Sequence, residues 1–374
     1  MKSASTNKPK LFLVCTGLGI VQRGFETFIA DLAEKLASEP QSFDTNVFSG
    51  GTYKTHKFKS TKLFCIHRNN SWFNKLFGFS TTSELEQISF FVSFIRCIIL
   101  NRPSAIYLGE YKLYCYLFKF RQLLQLQYSL VLYTGGQVSP GLFDPQKDYI
   151  HHITDVYYSD LVRAGYPSNR QFVLPHFMSS TSEISTAAPK LKGYNVQGKK
   201  IIISIGLIDK AVKRMDCFVN VLAQNASLYF PIILGESTVD TPEIENMLIR
   251  YFGKGNYFLG KVERSELHQY LHESDLFMLL SPKESFGLAA LEALSIGLPV
   301  ICCEYHESKF VLKDTAYLTN CTDELSIIQL LNKILSEDNS SFNKTKRIEF
   351  VRNNYSWDVL KDKYLAMFNA VVRG

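Results

Sequence analysis

The sequence predicts an α/β chain of two doubly wound units, each a parallel sheet covered by helices. Three observations predict it. Short β-rich runs alternate with longer amphipathic segments in both halves. A Ser/Thr/Ala/Gly-rich stretch with no apolar period, MSSTSEISTAAPKLKGYNVQGKK at 178–200, separates the halves. The 374 residues, 46% of them hydrophobic, exceed what one core usually serves and leave ample apolar surface for two.

In the first half the strand-like runs are LFLVC (11–15), TNVFS (45–49), KLFCI (62–66), AIYLG (105–109), LVLYT (130–134), YIHHI (149–153) and QFVLP (171–175). After the first of them Phe28, Ile29, Leu32, Ala33 and Leu36 recur at helical spacing, which predicts a helix over 25–37. The alternation restarts at KIIISIG (200–206) and continues through YFPIILG (229–235), YFLG (257–260), DLFMLLS (275–281) and LPVICC (298–303). WDVLKDKYLAMFNAVV then reads as one amphipathic helix. The expected division is 1–180, 181–355 and a final helix over 356–374.

Composition narrows the function classes. Charged residues make up 20%, and the longest strongly apolar run, Ile88 to Leu100, is broken by Arg96 and is shorter than the roughly 20 residues a bilayer span needs. The N-terminal apolar run leads directly into a glycine loop, so it reads as a first strand and not as a signal peptide. The cysteines at 15, 65, 97, 115, 217, 302, 303 and 321 form no C-x-x-C pair and no Cys/His spacing, and they read as reduced core residues of a cytoplasmic protein. Cys302 and Cys303 end a strand-like run with their side chains on opposite faces, which argues against a metal site there.

Residues 1–180 hold 19 Lys+Arg against 12 Asp+Glu, a balance of +7; residues 181–374 hold 22 against 23, or −1. The excess gathers in HKFKSTKLFCIHRNNSWFNKLFGF, 56–79, where Trp72, Phe73, Phe77 and Phe79 interleave with basic residues. Two readings stand: peripheral contact with an anionic membrane or acidic acceptor, or a solvated basic face over an aromatic cluster. No nucleic-acid motif accompanies the charge, so nucleic acid is not an expected partner.

The strongest chemical signal is SPKESFGLAALEALSIGLPVICCE, 281–304. The run DLFMLLS delivers Glu284 to the carboxyl end of a parallel strand, the edge at which open α/β sheets bind ligands. Phe286 and Gly287 open a helix whose first N–H groups favour anions. Glu292 lies on that helix about 7.5 Å of rise beyond Gly287.

This segment resembles the Glu-x7-Glu donor motif of glycosyltransferase family four and its retaining GT-B relatives. GKVERSELHQYLHESDLFMLLSPKESFG has the family's glycine-to-motif spacing, and GLPVICC follows as in the family. The resemblance is strong from about Lys199 to Cys303 and diffuse before it. It implies a GT-B fold of two Rossmann-like domains facing a cleft, with the final helix crossing back to the first. It also implies that Glu284 contacts sugar hydroxyls, that Glu292 contacts the ribose, and that the backbone after Phe286 at Gly287, Leu288 and Ala289 holds sugar and phosphate. Backbone around Lys261 and Val262 meets the base.

ISIGLIDKAVKRMDCFV, 203–219, places Lys213 and Arg214 at a helix start, where cations suit a pyrophosphate. The resemblance assigns Lys213 to donor phosphate. Where the family has an arginine directly after Gly206, this chain has Leu207; Arg214 and Arg23 are the candidates to compensate. The alternative is a solvated basic helix start.

CTGLGIVQRGFETF, 15–28, is a strand, glycine loop and helix with G-x-G-x-x-x-x-G spacing, not the dinucleotide fingerprint, and no acidic residue ends the next strand. A dehydrogenase reading fails. The loop resembles the family's donor-facing loop, with Gly17 and Gly19 approaching the diphosphate and Gly24 and Glu26 matching its Gly-x-Glu helix start. The family's histidine after LVLYT is replaced by Thr134, Gly135, Gly136 and Gln137. On YIHHIT, alternation sends one of His151 and His152 inward, with His152 the catalytic candidate against a core or hydrogen-bonded role. Glu110, at a strand's carboxyl end, is a candidate acceptor contact or an ordinary exposed carboxylate.

There is no D-x-D motif, so no divalent metal is expected; the expected ligand is a nucleotide sugar, with a uridine diphosphate sugar the family-weighted choice. In the resemblance's favoured mechanism the donor's leaving phosphate takes the acceptor proton, and the protein acts by orientation and charge stabilisation. The rival from another class is a nucleotide-sugar-binding subunit without turnover, to which Leu207 and the missing histidine point. An epimerase on the same fold lacks a second donor-directed acid/base pair.

Overall fold

The computed structural model describes residues 8–21, 23–67, 82–138, 143–178, 191, 193–337 and 341–374. The chain divides into two compact units, Met1–His176 with Leu360–Gly374, and Phe177–Val359.

The first unit holds β1 (Lys10–Cys15), β2 (Asp44–Ser49), β3 (Ser60–Lys62), β4 (Ala105–Leu108), β5 (Ser129–Thr134), β6 (Tyr149–His152) and β7 (Gln171–Val173). They form one sheet in the order β3-β2-β1-β4-β5-β6-β7, with every pair parallel. Its helices are α1 (Gly24–Ser38), α2 (Thr82–Asn101), α3 (Tyr111–Leu124) and α4 (Tyr158–Arg163). Parallel strands are covered on both faces and so read as apolar runs; β4, AIYL, is buried throughout. The C-terminal helix, Trp357–Arg373, lays Phe368 against Tyr107 at 5.5 Å and donates the Tyr364 hydroxyl to the Pro175 carbonyl.

KLFCI does not form the expected strand. The β2–β3 ladder ends at Ser49↔Lys62, because β2 runs out into Gly50 and Gly51, and the edge strand falls earlier, at Ser60–Lys62. The run Ile88–Leu100 lies in α2, which buries Phe90, Phe94 and Ile98 and exposes Val92 and Leu100. Among the described residues no helix is long and apolar enough to cross a membrane. Of the basic segment 56–79, residues 68–79 lie outside the described residues; Lys57 pairs with Glu34 at 2.7 Å.

The histidine reading needs correction. Alternation assumes one open face, but β6 is buried on both, so neither His151 nor His152 faces solvent. His152 Nε2 bonds the Gln171 side chain at 3.0 Å, a hydrogen bond of the structural kind that the sequence sets against a catalytic role. His151 bridges the Tyr107 hydroxyl (2.7 Å) and the Leu174 carbonyl (2.8 Å), and His176 bonds the Tyr133 hydroxyl. Burial lowers all three, His151 to about 4 and His176 to about 3.

These depressed values predict acid sensitivity. Below about pH 6.5 the unfolded chain takes protons that the folded histidines refuse, so the stability they contribute is present above that pH and lost as pH falls toward about 4. For His151 alone the full loss is on the order of 3 kcal/mol. The urea midpoint should therefore drop clearly between about pH 7 and about pH 5; a level midpoint would show these histidines protonated in the fold.

The second unit repeats the scheme with β8 (Lys200–Ile205), β9 (Tyr229–Leu234), β10 (Phe258–Gly260), β11 (Leu276–Leu279), β12 (Val300–Cys303) and β13 (Tyr317–Thr319). The order is β10-β9-β8-β11-β12-β13, again with parallel pairing. Its helices are α5 (Met215–Ala223), α6 (Thr241–Phe252), α7 (Arg264–Glu273), α8 (Leu288–Ser295), α9 (His306–Leu312), α10 (Glu324–Glu337) and α11 (Ser341–Tyr355). The reading of all eight cysteines as reduced is corrected here: Cys303 and Cys321 form a disulfide, with Cα atoms 5.2 Å apart. Cys303 is opposite Thr319 in the β12–β13 register, and Cys321 follows two residues on, on the same side of the chain.

Candidate functional site

In each sheet the strand order reverses once, between β1 and β4 and between β8 and β11. At such a point the loops leaving neighbouring strands part to opposite faces and open a crevice at the carboxyl edge. The sequence-chosen residues gather at these two edges.

In the second unit the loop after β8 is built on Asp209, whose carboxylate accepts the N–H of Val212 (2.6 Å) and Lys213 (2.9 Å). This side-chain-to-backbone turn sets Lys213 at the crevice. Its stem crosses Gly206, where an added Cβ would lie 2.8 Å from Lys213 Cε, so only glycine lets the lysine lie so close to the strand end. From the far side of the crevice Glu284 reaches in and forms an ion pair with Lys213, both side chains partly buried. The pair joins the loops of β8 and β11.

Beyond Glu284, Phe286 is buried and packs edge-on against Tyr355 at 6.0 Å. Gly287 takes a left-handed conformation, φ 78 and ψ 45, as the N-cap of α8, with open space where a Cβ would point. The first helical bonds reach the Gly287 carbonyl from Ala290 and Leu291, which leaves the N–H groups of Leu288 and Ala289 ahead of the ladder, at the positive end of the helix. Glu292 is partly buried on the second turn. Val262 sits in the loop after β10, next to Lys261, which pairs with Glu236 at 2.6 Å. At the end of β11 the Ser281 hydroxyl is buried with no hydrogen-bond partner, a group that a ligand hydroxyl would satisfy.

Arg214 departs from its expected role. It is the left-handed N-cap of α5, and its guanidinium donates to the Cys321 carbonyl, so its charge is tied to the loop after β13. Leu207 is 36% exposed and replaces the cation of the family pattern. Sequence reasoning missed Asp209 and the influence of Glu284 on the Cys302 thiol and the Tyr305 phenol. Burial raises the Cys302 thiol, with the Glu284 charge adding to it and Lys213 opposing, and burial likewise raises the Tyr305 phenol. An aspartate followed by a short polar turn was a readable signal for Asp209; nothing in the sequence marked Tyr305.

In the first unit the loop after β1 carries Gly17 and Gly19. Gly19 has φ +80, and a Cβ there would lie 2.8 Å from the Gly51 and Thr52 backbone; the loop thus packs on the turn after β2. Gly17 is closed in by Glu26. Arg23 is exposed, in extended conformation as the N-cap of α1. Glu110 is partly buried, with its Oε1 bonded to the Thr16 N–H at 2.7 Å, and is not an ordinary exposed carboxylate. At the ends of β4 and β5 lies a cavity of about 400 Å³ lined by Gly109, Tyr111, Leu132, Tyr133, Thr134 and Gln137, among others. Thr134, at the position of the family's histidine, exchanges hydrogen bonds with Gly136.

Two doubly wound parallel sheets define the GT-B class of fold, and solved structures agree. The chain is similar to Anabaena HepE, solved with UDP and glucose, with TM-score 0.74 over 97% of this chain and 100% of that one at 13% identity. It is equally similar to sucrose-phosphate synthase of Thermosynechococcus elongatus, with TM-score 0.74, the same coverage and 15% identity. Residues 190–356, within the second unit, match the family model described as Glycosyl transferases group 1. Among curated proteins, an uncharacterised 41.2 kDa protein of the Klebsiella pneumoniae cps region is 29% identical over 221 residues, 57% of this chain and 59% of that protein. The N-acetyl-alpha-D-glucosaminyl L-malate synthase of Bacillus anthracis is 31% identical over 119 residues, 31% of each. The chain thus spans less than two thirds of the length of these curated relatives.

Proposed function

We propose that this protein is a retaining glycosyltransferase that moves a sugar from a nucleotide-diphosphate sugar to a glycan, lipid or small-molecule acceptor. The observation that carries this reading is the Lys213–Glu284 pair spanning the β8–β11 crevice, beside the free N-terminus of α8. An entering diphosphate competes with Glu284 for the Lys213 ammonium. Lys213 then neutralises phosphate charge with the amides of Leu288 and Ala289, and the released Glu284 carboxylate accepts hydroxyl protons of the sugar. Glu292 takes the ribose and the Val262 backbone the base. The complexes of HepE with UDP and with UDP-glucose support a uridine diphosphate donor.

Fixed cations and helix N-termini do the work that a divalent ion does elsewhere, and the reaction proceeds without metal. The leaving phosphate takes the acceptor proton on the face that it vacates, which retains the anomeric configuration. A panel of nucleotide sugars, read by nucleotide release and by proton NMR of the product, tests this: transfer with retention and full activity in EDTA is the expected result. An inverted product, or loss in EDTA with rescue by manganese, overturns it. Leu207 favours a second reading, a nucleotide-sugar-binding subunit without turnover; binding with neither transfer nor slow hydrolysis would select it.

A further inference from the structure

At the strand-order reversal of the first sheet, carboxylates meet a single hydroxyl. Thr16 follows β1, and its N–H lies 2.7 Å from Glu110 Oε1. Its hydroxyl oxygen is 3.0 Å from that same Oε1 and 3.1 Å from Oε1 of Glu86. Glu86, from α2, is fully buried, and Glu26, from α1, is nearly so. The second Glu110 oxygen, Oε2, is buried with no hydrogen-bond partner.

Proton counting at the Thr16 hydroxyl bears on the state of this contact, beside the further interactions that Glu86 and Glu26 have. A threonine hydroxyl has one hydrogen to donate and lone pairs to accept with, whereas ionised carboxylates only accept. With Glu86 and Glu110 both ionised, the hydroxyl serves one of them and turns a lone pair toward the other in a buried setting, and the bare Oε2 carries charge without a partner. One added proton completes the chain in either direction: one carboxyl donates to Thr16 Oγ, and the Thr16 hydrogen goes to the other.

We propose that Glu86 and Glu110 share one proton through the Thr16 hydroxyl, and that this link makes Glu110 a positioning residue for the Gly17–Gly19 loop. Thr16 is the first residue of that loop, whose far side is bonded through Gly51 N–H to the Leu18 carbonyl at 2.9 Å. Among the described residues, the Cys15 thiol and Thr16 at the end of β1 and Glu26 of α1 act on Glu110, and Glu86 of α2 meets it through the shared Thr16 hydroxyl. Burial, with Glu26 adding to it and the Thr16 N–H opposing, pushes Glu110 up to about 7. A carboxyl raised in the fold contributes stability at low pH that is lost as pH rises through the folded value. Above neutrality the proton leaves to solvent and the link to Thr16 loosens.

The effect on a ligand rests on the donor reading of this loop; the proton does not. Difference infrared spectroscopy, titrated through neutrality, should show a protonated-carboxyl band that disappears with a midpoint near 7 and is missing in Glu110→Gln. UDP affinity, by calorimetry, should fall several-fold over the same range in the wild type. It should stay level in Glu110→Gln, whose neutral amide oxygen accepts both Thr16 bonds, and be weak throughout in Thr16→Val. A wild type with no such band, or a band that survives in both Glu110→Gln and Glu86→Gln, overturns the shared proton. Glu110→Gln binding as poorly as Glu110→Ala overturns the positioning role. Should UDP bind to no variant and not to the wild type, the donor reading fails while the infrared band still decides the proton.

Discussion

Lys213→Ala is expected to lower kcat/KM for the donor by about 10²-fold or more while leaving the fold intact. The ammonium is the cation that the β8 loop brings to the crevice, and a preorganised donor to developing charge contributes about 2.7–4 kcal/mol. Its removal also strands Glu284 facing the phosphate, a repulsion that the wild type never has. For that reason the double variant Lys213→Ala with Glu284→Ala should lose less than the two single losses combined. On the proposed donor placement, Glu284→Ala alone should lower kcat, whereas Glu292→Ala should mainly raise KM for the donor. Steady-state kinetics on the four variants checks this. Unchanged kcat/KM in Lys213→Ala, or strictly additive losses in the double variant, would remove the pair from the donor site.

The sheets were legible because parallel strands are buried on both faces and announce themselves as unbroken apolar runs, as in AIYL and VICC. The edges were not. β3 and β13 are three residues each and lack a fully buried face, so KLFCI was misplaced and YLT was passed over. Lys213 and Glu284 were each readable from their own segments. Their pairing was not, because they are 71 residues apart and meet only because β11 inserts beside β8. The same double burial that made strands readable misled the histidine reading, since alternation on YIHH has no open face to find. The disulfide was hidden for a related reason: Cys303 and Cys321 are 18 residues apart, and only the β12–β13 register brings them together.

Asp148→Ala is expected to destabilise the first unit by about 3–5 kcal/mol, the range for breaking a buried ion pair by removing one partner. Asp148 is fully buried, and the Arg121 guanidinium, 3% exposed, donates to it through both terminal nitrogens, Nη2 at 2.8 Å. The two partners are unequally supported. Without Arg121, Asp148 still accepts from the Tyr114 hydroxyl (2.9 Å) and the N–H groups of Leu130 (3.1 Å) and Asp144 (3.0 Å). Without Asp148, Arg121 keeps the Tyr128 carbonyl at 2.9 Å, while the Asp144 carboxylate is 3.9 Å away, too far for a hydrogen bond. A buried cation with little compensation is the costlier remnant, so Asp148→Ala should lower the urea midpoint more than Arg121→Met does. The double variant should fall short of the sum, because it leaves neither charge stranded. Equal losses in the two single variants would show that solvent reaches Arg121 once its partner is gone. A loss below about 1 kcal/mol for Asp148→Ala would place the pair with surface salt bridges, contrary to its burial.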